Sequence, residues 1–182
     1  MQFDLRIKNN HELPGFNYIE CEIYTDKEKK ELAGKLSIRN LSVSDSEGEY
    51  SNLFHLMDSV DQYTYECWQA LEEAGLLFNV SRVLILDRIQ IAKKWRGNNL
   101  GIAAAYEIIN KIKSNDALVA TRIDVIQDIE GFNPQESDWD LEMDYMQLPQ
   151  GCPDSAPKLA SHFAKMGFSP ANEDYMVLSK LQ

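Results

Sequence analysis

A chain of 182 residues, 44% hydrophobic and 26% charged, carries enough apolar surface for one good core, so a single folded domain is expected rather than disorder. The net charge of −11, from 29 acidic against 18 basic residues, argues against a nucleic-acid face or attraction to anionic lipid, and it suits cationic partners. The start M-Q-F-D-L-R-I-K has no apolar leader core and no window approaches a membrane span, so a cytoplasmic protein is expected.

In chain order, residues 3–8 alternate Phe3, Leu5 and Ile7 against Asp4, Arg6 and Lys8, a strand with one wet face. Leu13-Pro14-Gly15 breaks the chain. Residues 18–25 and 32–43 read as a second and third strand, paired as a hairpin across the charged turn 26–30. Residues 42–51 are polar. Residues 53–57 suggest a short helix, and residues 63–74 a firmer one, with Cys67, Ala70, Leu71 and Ala74 at helical spacing before Gly75. Residues 82–92, R-V-L-I-L-D-R-I-Q-I-A, form a mostly buried fourth strand. Residues 100–113 form a helix whose Ala105, Ile108, Ile109 and Ile112 share one face. A fifth strand is expected over 117–129, and Gly167 suits the position just after a helix.

Cys21, Cys67 and Cys152 match neither a disulfide framework nor a zinc spacing. His11, His55 and His162 form no cluster, and His11-Glu12 lacks the second histidine of H-E-x-x-H, so no metal is expected.

The connection between the fourth strand and the next helix carries the chemistry. In Arg96-Gly97-Asn98-Asn99-Leu100-Gly101, two glycines allow a sharp turn, and asparagine caps helices and tolerates left-handed backbone. A strand running through such a loop into a helix N-terminus aims several N–H groups at one spot, a ready site for phosphate. The alternative is a plain strand–loop–helix turn. The loop matches neither G-x-x-x-x-G-K-[ST] nor G-x-G-x-x-G.

These residues resemble the [RQ]-x-x-G-x-[GA] motif of the GCN5-related N-acetyltransferase (GNAT) superfamily. The late L-A-S-H-F-A-K-M-G-F, residues 159–168, with its closing strand is similar to that family's C-terminal part. The likeness is strongest over residues 82–182. It implies an α/β (α+β) fold, a mixed sheet of about six or seven strands with helices on both faces. It also implies acetyl-CoA as cosubstrate. The loop residues Arg96, Gly97, Asn98, Asn99, Leu100 and Gly101 would cradle its pyrophosphate, with Asn99 where the family has glycine. The backbone around Ile89, Gln90 and Ile91 would hold the pantetheine and the thioester carbonyl. Family members place helices between the first two strands; here they follow the third.

The family's usual acid, a tyrosine in the late helix, is Phe163 here, which leaves that place a cosubstrate contact without a proton to give. Ala156 stands where an asparagine is common. Tyr145 and Tyr175 are the substitute proton donors, with Ser161 and His162 behind them. Asp87, an acid inside an apolar strand, is the candidate base, since an acid there costs stability unless paired or used. Alternation sets it on the face of Ile85, Ile89 and Ile91; its other role is an ion pair with Arg82, Arg88 or Arg122.

From Ile123 to Pro157 no Lys or Arg occurs, while Asp138, Asp140, Glu142 and other acids alternate with Trp139, Tyr145 and Met146. Residues 130–157 read either as a solvated insertion or as an acidic, aromatic lid that recruits a cationic amine. The function expected from the resemblance is transfer of acetyl to a primary amine on a cationic small molecule or peptide. The alternative is a catalytically degenerate acyl-CoA-binding sensor or scaffold. A toxin acting on charged tRNA fits the negative charge poorly. A second copy of the chain, as a homodimer, stays open as a further partner.

Overall fold

The computed structural model describes residues 3–13, 15–25, 28, 31–43, 61–123, 138–143 and 155–178. Strands β1 (Asp4–Leu13), β2 (Phe16–Tyr24) and β3 (Leu32–Ser42) precede helix α1 (Gln62–Glu73) and strand β4 (Arg82–Ile91). A 3-10 turn (Lys93–Trp95) leads to helix α2 (Leu100–Ile112) and strand β5 (Ala117–Arg122). Helices α3 (Asp138–Met143) and α4 (Ser155–Ala164) and strands β6 (Ser169–Pro170) and β7 (Tyr175–Leu178) complete the described elements.

The strands form one seven-stranded sheet in the order β1-β2-β3-β4-β5-β7-β6. Its neighbours are antiparallel except β4 and β5, which are parallel. Parallel neighbours need a crossover, and α2 supplies it. Ala105, Ile108 and Ile109 of α2 bury their side chains with Leu84 and Leu86 of β4 and Phe163 of α4 on one face. Cys67, Trp68 and Leu71 of α1 pack with Val83 and Ile85 of β4 and Val177 of β7 on the other. Helices therefore cover both faces of a mixed sheet. No helix among the described residues is long and apolar enough to cross a membrane.

The first strand runs on to Leu13, beyond the expected end at Lys8, because it pairs with β2 along its length up to a tight turn at Gly15, φ +79°. β5 is described as strand only to Arg122; residues 124–129 and the short helix expected at 53–57 lie outside the described residues. At the end of α4, Gly167 takes φ +89° and lets Phe168 fold back, its N–H donating to Phe163 O at 3.3 Å and its ring 5.6 Å from that of Phe163.

Candidate active site

Among the described residues, β4 and β5 pair over only part of β4. β4 and β5 pair from Arg82–Ala117 to Leu86–Thr121, and the Thr121 hydroxyl donates to Leu86 O at 3.0 Å beside the last step. Beyond it, residues 88–91 of β4 pair with β3 alone among the described residues. The change coincides with a β-bulge: Ser37 faces Arg88 and Ile38 faces Leu86, so Asp87 is an extra residue in β4.

That extra residue corrects the expected face of Asp87. Simple alternation would keep Asp87 with Ile89 and Ile91. Instead Ile89 and Ile91 pack on the α2 side, whereas Asp87 points to the α1 side with Ile85. There its carboxylate accepts from Ser37 Oγ at 3.2 Å and from Arg39 Nη2 at 3.3 Å. Arg88 Nε stands 3.9 Å away; Arg39, which sequence reasoning missed, is the nearer cation.

Arg39 centres the cluster. Its side chain is only 10% exposed, so its charge needs partners, and it has two carboxylates. Nη1 donates to Asp61 and, at 2.6 Å, to Thr64 Oγ1, while the Tyr63 and Tyr18 rings lie 4.5 and 5.4 Å from the guanidinium carbon. Asp61 is also the N-cap of α1, accepting from the Thr64 N–H at 2.8 Å. Burial alone would raise the Asp61 carboxyl, but the Thr64 N–H and Arg39 outweigh it and hold it below the ordinary aspartate range. Burial pushes the Tyr18 phenol up to about 12 against the pull of Arg39, with Asp61 adding to the rise. Burial likewise raises Tyr63 well above its ordinary range. The two tyrosines are thus held neutral beside the Arg39–Asp61 ion pair.

The sequence signals for these partners were an arginine between Ile38 and Leu41 in an apolar strand, and an aspartate just ahead of a helical period. Tyr175 shares the α1 face with Asp87. It is buried beside Arg122, whose guanidinium carbon lies 5.9 Å from both the Tyr175 and Tyr63 rings. Tyr145 lies outside the described residues. Phe163 is 5% exposed within the α2-side core.

At the end of β4, Gly97 takes φ +80° with open space where a Cβ would sit. Asn99, the N-cap of α2, takes φ +56°, ψ +17°, the left-handed conformation expected of it. Its side chain makes no capping bond, contrary to the capping role expected of asparagine: a capping residue ordinarily has extended backbone, and Asn99 is left-handed. Asn98 and Asn99 are exposed and Leu100 is buried. Gly101 differs from the phosphate-facing glycine expected. A Cβ there would meet Ile89 Cγ2 at 3.0 Å and Ile91 Cγ1 at 3.3 Å, so its smallness lets α2 sit on β4. Arg96 donates through Nε to Ile91 O at 2.9 Å and through Nη2 to Met143 O. Gln90 faces α3, its Oε1 accepting from Trp139 Nε1 at 3.1 Å.

No protein-family model matches the chain, and neither a curated protein nor a solved structure does.

Proposed function

We propose that this chain is a GNAT-type N-acetyltransferase of the cytoplasm that moves an acetyl group from acetyl-CoA to a primary amine on a cationic small molecule or peptide. The observation that carries the reading is that, among the described residues, β4 pairs with β5 only as far as Leu86 and Thr121 and then runs on to a left-handed loop and a helix start whose N-cap side chain, Asn99, makes no capping bond. The mixed sheet with helices on both faces and the R-G-N-N-L-G motif at that loop support it.

The residues fit the cosubstrate at its phosphate end. The first N–H groups of α2 have no intrahelical partner, and the space at Gly97 gives access to them. The backbone around Ile89, Gln90 and Ile91 would hold the pantetheine arm and carbonyl. When bound, acetyl-CoA supplies a thioester-activated acetyl group. Asp87, alone or through water, takes the amine proton as the new C–N bond forms and the C–S bond breaks. Arg39 and Ser37 fix the orientation of that carboxylate. The departing sulfur takes its proton from water or from a tyrosine, Tyr175 or Tyr145.

A second reading, an acyl-CoA-binding sensor without turnover, draws on two observations. Asp87 is engaged by Arg39, and Phe163 lies in the core at the place of the family's acid. Incubation with acetyl-CoA and a panel of primary amines, following release of free thiol, separates the two. Thiol release with an amine supports the enzyme. CoA binding without release across the panel supports the sensor, and no CoA binding at all overturns both.

A further inference from the structure

We infer that Arg96 is a positioning residue that fastens α3, the helix on the amine side of the sheet, to the cosubstrate loop. The inference rests on the acetyltransferase reading for what the loop binds. Arg96 opens the motif that a phosphate-binding reading would give to an arginine side chain. Its guanidinium is instead spent on two carbonyls of the chain itself, Ile91 O at the end of β4 and Met143 O at the end of α3. Met143 is 3% exposed, so α3 is seated on the protein at that end.

Trp139 seats the other end. Its indole N–H donates to Gln90 Oε1, and the Lys35 ammonium lies 4.9 Å from the ring centroid. Lys35 and Gln90 are partners across β3 and β4, and Lys35 is two residues from Ser37, which bonds Asp87. Residues two apart in a strand share a face, so α3 covers the Asp87 side of the sheet. The open N–H groups of α2 lie beyond the end of β4. Arg96 therefore ties the loop expected to take the phosphates to the helix beside the expected amine site. With its guanidinium so placed, contacts to phosphate fall to backbone N–H groups. A planar fork can hold two carbonyls at once, which a lysine ammonium does not reproduce.

Amide hydrogen exchange of α3 with and without CoA, beside calorimetric titration with CoA, tests this in wild type, Arg96→Ala, Arg96→Lys and Trp139→Phe. Circular dichroism and thermal melting check that each variant is folded. In the wild type, CoA should slow α3 exchange by about fivefold or more, the low end of ordinary coupling between sites. Arg96→Ala and Arg96→Lys should both lose that slowing while CoA affinity stays within about twofold, because the fork geometry and not the charge is required. Trp139→Phe should loosen α3 and leave CoA affinity intact, which tests the seating even if the Arg96 variants fold poorly. CoA affinity that falls in Arg96→Ala and returns in Arg96→Lys would make Arg96 a phosphate ligand and overturn the inference, while supporting the acetyltransferase reading. A wild-type chain that binds no CoA overturns the coupling together with that reading. Unchanged α3 exchange in apo Arg96→Ala overturns the fastening itself.

Discussion

Arg39 on β3 and Asp87 on β4 meet at 3.3 Å on the α1 side of the sheet, at the residue where β4 carries its bulge. The bulge shifts the alternation of β4 by one residue. Ile89 and Ile91 pack on the α2 side, while Asp87 stays with Arg39 just past the last described pairing of β4 with β5. A carboxylate in that position is held in place by Ser37 and Arg39.

Arg39 neutralises two carboxylates from a largely buried position, so its loss should be costly. Arg39→Met would leave Asp61 and Asp87 facing one another without their cation. Breaking such a pair from one side costs about 3–5 kcal/mol. Urea unfolding should show a loss in that range, and adding Asp87→Asn should recover part of it. A loss below about 1 kcal/mol would mean that solvent screens the cluster.

Much of this architecture was legible. The Val, Ile and Leu run of β4, the helical period of α2 and the Gly167-Phe168 ending each have one physical solution, and their bounds came close. The face of Asp87 relative to Ile89 and Ile91 was not legible, because an inserted bulge residue leaves no mark in a two-residue alternation. Arg39 was missed for a related reason: its partners come from three separate elements. The role of Gly101 needs the neighbouring strand to be seen, since a glycine that admits a helix and one that admits a phosphate read alike. The two-residue β6 is too short to carry a pattern.

The start of α2 offers a test in which stability and binding move in opposite directions. Asn99→Asp keeps the shape and the tolerance for φ +56°, and adds negative charge at the positive end of the helix dipole. The free protein should gain about 0.3–1 kcal/mol in thermal or urea unfolding. CoA should bind more weakly, by about 1–3 kcal/mol, as the added charge meets the pyrophosphate across a partly solvated gap. Equal CoA affinity would place the phosphates elsewhere.

Asp61 should give the fold an acid-side pH dependence. Its folded carboxyl lies below its ordinary range, so the unfolded chain binds that proton more readily. The stability it contributes is complete above about pH 4, the unfolded aspartate range, and is lost as pH falls through the lower folded value. Asp61→Asn should flatten the stability profile below about pH 4 and cost about 1–3 kcal/mol at neutral pH from the charge lost opposite Arg39, since asparagine caps a helix about as well as aspartate. A variant with an unchanged acid limb would show that other carboxylates dominate it.

The acidic run around α3 should act on the amine and not on CoA. Replacing Asp138, Asp140 and Glu142 with Asn, Asn and Gln should raise the KM for a cationic amine and flatten its salt dependence, since steering by surface charge is screened over about 10 Å at 0.1 M salt. CoA affinity should stay as it was. If the KM for the amine does not move, the run is a solvated surface.

Asp87→Asn is the sharpest test, because the two readings of Asp87 predict different patterns. Asparagine keeps the shape and can still accept from Ser37 and Arg39, while it can no longer take a proton. If Asp87 is the base, kcat should fall by about 10²–10⁴-fold with CoA binding intact. Arg39 keeps Asp61, so stability should fall only by about 1–3 kcal/mol, the cost of weakening one charged hydrogen bond in a partly buried cluster. The basic limb of the pH–rate profile identifies the acid in the same experiment. A fall in rate that disappears in Tyr145→Phe or Tyr175→Phe assigns the donor to that tyrosine, one that persists in both belongs to another titrating group, and a wild-type profile without such a fall assigns the donor to water. Should Asp87→Asn turn over at the wild-type rate while losing stability, the pair with Arg39 is structural and the base lies elsewhere.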